Sequence, residues 1–406
     1  MRKSFFIKKV ENLERVEDAI LHLSANENIL SRTAKRMVAS PLSERYFFGG
    51  GKDRILHIGN AAFFGLTEVA EIEAYAKKLL EKRMRGQEAN FNCLSGLQAM
   101  MCVLLSSTRP GEAIMTIREK DGGHFATCGI IKAIGRKQLY AKFDQKKMEF
   151  DYDATATIFK KAHARMLYLD NSNQIKPIDI KRMRRALGKK AIIVYDASHT
   201  LGLILGGVFP NPLLLGADAV TANTHKTLPG PQKALIVFKR KNFGKRINTL
   251  INSSLVSSVH THHLLALCVA VAEMVIFGKT YAKQIVKNAN VFASEIEKFG
   301  YSVRRADADR YTYNHQVHIF LPKNAYAGRY FKRLVHNNIS LNLEKNILGK
   351  QYFMRIGTQE VTRLGMKEKE MKTIAHIIHG ALSGKNVKKE VALLKKNFRN
   401  IDFSFD

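Results

Sequence analysis

The chain has 406 residues, 46% of them hydrophobic and 25% charged, which suits a two-domain globular protein and excludes a fibrous or disordered class. Its 66 Lys and Arg outnumber 35 Asp and Glu, but the formal charge of +31 is spread along the chain. It therefore reads as a solvated lysine-biased surface, prone to non-specific polyanion contacts, and not as a dedicated nucleic-acid block. No apolar run approaches the roughly 20 residues that span a bilayer, and the basic, briefly apolar start of the sequence is too short for a signal peptide. Cys93, Cys102, Cys128 and Cys268 lack metal-ligand spacing, which predicts free thiols in a reducing, cytoplasmic setting.

Taken in order, residues 1–40 read as an N-terminal arm with a helix near Val10–Leu23, followed by the polar loop Leu23–Asn28. Ser43–Gly51 is an aromatic loop ending in three glycines, which allow close backbone approach. Glu68–Lys82 has helical apolar spacing. Ser95-Gly96 then opens a buried helix, where a hydroxyl and free N–H groups could receive a phosphate or simply cap the helix. Ala113–Ile117 is a strand, and His124 follows it in Asp121-Gly-Gly-His. Strands at Met166–Leu169 and Ala191–Tyr195 end in Asp170-Asn-Ser172-Asn and Asp196-Ala-Ser-His199, with a helix at Ile180–Leu187 between them. This alternation predicts a mostly parallel sheet with helices on both faces, and such sheets bind ligands beyond the strand C-termini.

Strands Ala219–Ala222 and Ala234–Phe238 flank His225-Lys226-Thr227, and Pro229-Gly-Pro231 turns the chain between them. An amine held between buried strands can lose its proton and form a Schiff base. By itself the stretch equally describes a hairpin with an exposed lysine. Ile247–Thr261 carries few signals. Beyond it, Leu264–Phe277 and Tyr281–Phe299 read as two helices. Strands at Gln316–Leu321 and Tyr352–Ile356 and helices at Tyr326–Asn337, Lys367–Leu382 and Lys388–Phe398 make a smaller α+β domain. The expected division is 1–40 arm, 41–278 large domain and 279–406 small domain. His260, His262 and His263 could suggest a metal, but two are adjacent and no acidic ligand is near, so none is expected.

A Schiff-base lysine, an acid 30 residues before it, a histidine past a strand end and a phosphate cradle together suit pyridoxal phosphate. With these on the page, the sequence resembles the serine hydroxymethyltransferase family. The likeness lies in Asp196–Pro212, Thr224-His-Lys-Thr-Leu-x-Gly-Pro231, Arg355-Ile-Gly-Thr-Gln-Glu-Val-Thr-Arg-x-Gly365 and the loop Leu23–Asn28, and it covers nearly the whole chain. It implies an aspartate-aminotransferase-like α/β fold (pyridoxal-phosphate fold type I) with a seven-stranded, mostly parallel sheet. It further implies that Lys226 carries the cofactor and Asp196 pairs with its pyridine nitrogen. His124 stacks on the ring, and Ser172 and His199 serve its phenolic side. Ser95 and Gly96 hold the phosphate, and His225 supports the lysine. Arg355, with Asn26, takes the substrate carboxylate, and Tyr46 reaches in across a homodimer interface.

Several positions depart from the family pattern. The loop expected to carry a glutamate reads Tyr46-Phe47-Phe48, and a tyrosine pair is Phe63-Phe64. A phosphate-site hydroxyl is lost at Leu97, Ala222 and Asn223 break a threonine run, and Gln232 stands for an arginine. An interface Gly-Gly is replaced within Ser257-Ser-Val-His260, and the folate segment survives only as Asn342-Leu-Glu-Lys-Asn346. The expected activity is therefore cleavage or formation of the Cα–Cβ bond of a β-hydroxy-α-amino acid such as serine or threonine, as in threonine aldolases and transaldolases, with tetrahydrofolate doubtful. The alternatives are a folate-dependent glycine/serine hydroxymethyltransferase and a catalytically silent relative that binds or regulates.

Overall fold

Short apolar segments rich in Ile, Val and Leu build the larger sheet. In a computed structural model describing residues 3–145, 147–322, 326–346 and 351–406, seven strands form it: β1 (Glu88–Asn90), β2 (Ala113–Thr116), β3 (Lys137–Tyr140), β4 (Met166–Leu169), β5 (Ile192–Asp196), β6 (Ala219–Asn223) and β7 (Ala234–Phe238). Their order is β1-β7-β6-β5-β4-β2-β3, and only β7 runs against the rest. Every residue of β2, β4 and β7 is buried, as strands covered on both faces must be. This is the seven-stranded, mostly parallel sheet that the resemblance implies.

The chain divides into two compact units. One is Asn28–Lys283 with Phe403–Asp406 and holds this sheet; the other is Met1–Glu27 with Gln284–Asp402. The smaller unit has an antiparallel sheet, β8 (Ser302–Val303), β9 (Gln316–Phe320), β10 (Asn342–Asn346) and β11 (Gln351–Gly357), ordered β8-β9-β11-β10. Its core packs Val317, Ile319 and Ile356 against Ile374, Ile378 and Val391 of the C-terminal helices. The four residues after Asn346, where the folate segment would continue, lie outside the described residues.

Three local expectations change. The N-terminal helix is Lys3–Ala19, not Val10–Leu23. Leu21–His22 is instead extended and pairs in parallel with Ile339–Ser340, which buries Leu21 and Leu23 in the smaller core. The first 27 residues thus group with the C-terminal unit. The two helices expected at 264–299 are one, Thr261–Glu297. Gly278 lies inside it, packed on Gly206: a Cβ on Gly206 would meet the Gly278 carbonyl oxygen at 2.5 Å and the Ala282 methyl at 2.3 Å, so this close approach requires glycine at 206. By length and composition this helix could cross a membrane, with mean hydropathy 1.7 over 18 residues, but 61% of that window is buried inside the protein. Finally, Lys241–Leu250 is helical and runs into a wider π-type turn at Ile251–Leu255.

Candidate active site

Because the strands around the centre run parallel, their C-terminal ends and following loops gather at one edge of the sheet. Asp196 ends β5, Asp170 follows β4 and Asn223 ends β6. Register pairs Tyr195 with Leu169, so the next residues, Asp196 and Asp170, leave neighbouring strands side by side. A cavity of about 230 Å³ opens here. Among the residues lining it are Ser95, Gly96, His124, Ser172, Asp196, His199, His225 and Lys226, so eight of the residues singled out in the sequence line one cavity.

Lys226 is only 7% exposed, and its Nζ lies 3.1 Å from Nε2 of His199. The backbone fixes its loop. Asn28 Nδ2 donates to the Lys226 carbonyl at 2.5 Å, and Thr227 Oγ1 donates to the His199 carbonyl at 3.0 Å. Gly202 N donates to Thr227 Oγ1 at 3.1 Å, and a Cβ on Gly202 would sit 2.1 Å from the Thr227 carbonyl oxygen. Only glycine permits that approach, which presses the lysine loop onto the helix after Asp196. The same stretch holds a second buried lysine, Lys233. Its Nζ donates to the Val259 carbonyl at 3.0 Å, with Asn92 O and Cys93 O at 3.4 Å, and burial pulls it down to about 8. Lys233 does not line the cavity, so the structure separates the two amines.

Asp196 is held as an acceptor on both oxygens. Oδ1 receives Ser198 N–H at 2.8 Å and Oδ2 the hydroxyl of Tyr168 at 3.1 Å. Burial, with Asp196 close by, keeps the Tyr168 phenol well above its ordinary value, so it stays a donor. Ser95 caps the helix Gly96–Ser107 by accepting from Gln98 N at 3.2 Å. Asn223 packs so tightly on Gly96 that a Cβ there would meet its Oδ1 at 2.1 Å. His124 caps the helix Phe125–Ala133, its Nδ1 accepting from Ala126 N at 3.3 Å. The loop bearing Ser172 is tied to the His124 loop by Ser172 N donating to the Gly122 carbonyl at 2.7 Å.

Tyr46 does not line this cavity. It is 63% exposed, and its ring stacks on Phe48 with centroids 5.7 Å apart. Arg355 and Asn26 belong to the smaller unit, where they meet: Arg355 Nη2 donates to Asn26 Oδ1 at 2.9 Å. Arg355 Nε also pairs with Glu344 at 3.0 Å, a diagonal contact between β11 and β10, and Ser24 Oγ donates to Asn342 beside it. Burial lowers the Arg355 guanidinium, and Glu344 opposes that shift. His260 takes a left-handed backbone, φ +52, consistent with the glycine that the family pattern has in this segment. The rings of His262 and His263 lie 4.2 Å apart, and burial and neighbouring positive charge pull His263 down to about 4. No grouping of three or more His, Cys, Asp or Glu among the described residues is placed to hold a metal ion.

Asp170 is the site residue that sequence reasoning passed over. Its Oδ2 accepts from Thr127 Oγ1 at 2.5 Å and from His124 N at 3.2 Å, while Oδ1 is buried and has no hydrogen-bond partner. Burial, aided by Asp196, pushes its carboxyl up to about 7. The available signal was its position, the same strand-tip position as Asp196.

Comparison with known proteins gives the family and the fold. The family model for serine hydroxymethyltransferase matches residues 6–378. The chain is 35% identical over 378 residues to a fluorothreonine transaldolase from Streptantibioticus cattleyicolor, covering 91% of this chain and 58% of that longer protein. It is 33% identical over 421 residues to the serine hydroxymethyltransferase of Archaeoglobus fulgidus, covering 100% of this chain and 94% of the relative. The crystal structure of L-threonine transaldolase from Pseudomonas fluorescens in its internal aldimine state superposes with a TM-score of 0.91 at 27% identity, over 99% of this chain and 93% of that one.

Proposed function

The chain belongs to the serine hydroxymethyltransferase family, and from that premise we propose that it acts on a β-hydroxy-α-amino acid as a folate-independent aldolase or transaldolase. It is a pyridoxal-phosphate-dependent enzyme that breaks or makes a Cα–Cβ bond. The observation that carries the finer reading is the 46–48 loop. Where the family pattern has a carboxylate, this chain presents Tyr46 stacked on Phe48, with no acid between them. Glu344, in the remnant of the folate segment, is moreover engaged with Arg355.

The cavity fits the cofactor. A buried amine faces it, a hydrogen-bonded carboxylate and a capped helix N-terminus line it, and the orphaned Oδ1 of Asp170 marks a polar position awaiting a partner. Bound pyridoxal phosphate supplies an electron sink for charge developing at Cα. Lys226 is the amine that holds it, and Asp196 the acid for its ring nitrogen. His124 stacks on the ring, Ser172 and His199 serve its phenolic side, and Ser95 and Gly96 hold its phosphate. His225 supports Lys226. Arg355, pre-aligned by Asn26 and Glu344, binds the amino-acid carboxylate through a planar fork that lysine could not imitate.

Exposed Tyr46, Phe48, Ile55 and Phe64 form an apolar surface suited to a second copy of the chain, and Tyr46 serves a partner's site in that homodimer. Four free cysteines, three of them buried, suit a reducing cytoplasm. The test is to mix the protein with threonine, serine and glycine and to assay acetaldehyde and formaldehyde with and without tetrahydrofolate. Threonine cleavage indifferent to folate is expected. Strong folate stimulation of serine cleavage would overturn this reading in favour of a glycine/serine hydroxymethyltransferase, which the likeness to the archaeal enzyme favours. Absence of a visible cofactor band would favour a silent relative.

A further inference from the structure

Two carboxyl groups leave adjacent parallel strands at the floor of the cavity. One, Asp196, has both oxygens satisfied by donors. The other, Asp170, is 4% exposed and has one oxygen satisfied and one orphaned. A buried carboxylate oxygen without a donor is costly, and two neighbouring carboxylates cannot both ionise cheaply. A proton on Asp170 relieves both problems. A cation placed in the cavity would relieve them in another way.

We propose that Asp170 and Asp196 form a carboxyl pair that holds one proton in the cofactor-free protein, and that seating the positively charged pyridine ring of pyridoxal phosphate beside Asp196 drives that proton off Asp170. The step is a proton transfer: the Asp170 O–H bond breaks, its electron pair stays on the carboxylate, the proton passes to solvent, and the ring cation replaces it as the positive partner of the pair. The inference rests on Asp196 being the acid for the ring nitrogen. Asp170 then acts as a pH-sensitive element of cofactor binding. The position is shaped for this. Thr127 and His124 fix one oxygen, so the carboxyl cannot rotate to offer its orphaned oxygen a donor elsewhere without breaking both bonds.

The titratable groups around Asp170 are Asp196 on β5, Tyr168 on its own strand, His124 at the adjoining helix start, and His199, His225 and Lys226 on the cavity wall. Tyr168 stays protonated throughout the neutral range. The histidines contribute their own pH dependence, so the readout must be a difference between two proteins. The sign follows from linkage: below the Asp170 pKa binding must expel a proton, so affinity falls as pH falls, by up to about tenfold per pH unit for one proton.

The experiment uses pyridoxine 5′-phosphate, which shares the ring and phosphate but has no aldehyde to react with Lys226. Cofactor-free wild type and Asp170→Asn are titrated by calorimetry at pH 6, 7 and 8, each in two buffers of different ionisation heat. At pH 6 the wild type should release about one proton more than the variant, and its affinity should climb with pH more steeply. Equal proton release by the two proteins overturns the proposal. So does equal release by the wild type and Asp170→Ser, a second variant that keeps the test open if the first does not fold. Failure of the wild type to bind the probe at any pH would overturn the cofactor assignment itself, and this inference with it.

Discussion

The strand-tip cavity and the aromatic loop-and-hairpin region, residues 45–64, lie in the same unit and both carry family-pattern positions, yet they are built in opposite ways. In the cavity, Lys226 is buried, Asp196 and Ser172 are half-buried, and hydrogen bonds to backbone groups hold them: Asn28 Nδ2 donates to the Lys226 carbonyl, Ser198 N–H to Asp196, and Ser172 N–H to the Gly122 carbonyl. In the other region several large apolar side chains are exposed. Phe64 is 69% exposed, Tyr46 63%, and the hairpin Ile55–Ile58/Ala61–Phe64 touches itself more than a core. Buried polar groups tolerate few substitutes, because each must find its hydrogen bonds inside the protein. Exposed positions are free to drift unless a partner covers them. The cavity presents the buried amine and the carboxylates that the proposed cofactor needs, while the hairpin region presents rings where the family pattern has a carboxylate.

The sharpest break is Lys226→Ala. It should abolish the visible cofactor band and lower turnover by at least about 10³-fold, since among the described residues no other lysine lines the cavity. Lys233→Ala should leave the band in place. A band that survives Lys226→Ala would refute the assignment. Arg355→Ala comes next. Removing one partner of a buried charge cluster costs about 2–5 kcal/mol, so amino-acid KM should rise at least about thirtyfold with the resting cofactor spectrum unaltered. An unchanged KM would show that the carboxylate binds elsewhere.

Gly202→Ala tests whether backbone contact positions the lysine. Its methyl would strike the Thr227 carbonyl, so a stability loss of about 1–3 kcal/mol should accompany weaker cofactor retention, seen by denaturant titration and by dialysis. Normal retention would mean that the loop is not held there. The smallest effects belong to the aromatic region. Phe64→Ser should change folding stability by no more than about 0.5 kcal/mol, yet weaken self-association in analytical ultracentrifugation. If association is undisturbed, that face is not the interface between copies.

Much of this was legible in the chain. Met166–Leu169, Ile180–Leu187 and Ala234–Phe238 have the bounds that their patterns predict. The lysine, the strand-end aspartate and the arginine segment stood in recognisable local contexts. What failed to show were features set by neighbours remote in sequence. The segment between Phe277 and Tyr281 read as a gap between two helices, although it packs on Gly206, about 72 residues earlier, and Leu21–Leu23 looked helical because Ile339 is not in view.

The sequence by itself determined the family, the cofactor and the order of the strands' chemical tips, because these depend on short patterns of burial and turn chemistry. Only the tertiary structure decided which of two buried lysines faces the cavity. It alone turned Asp170 from a polar loop residue into the second acid of a pair. Both facts depend on strand register: a β-sheet brings side chains together across hydrogen-bonded neighbours, at distances that no spacing along the chain records.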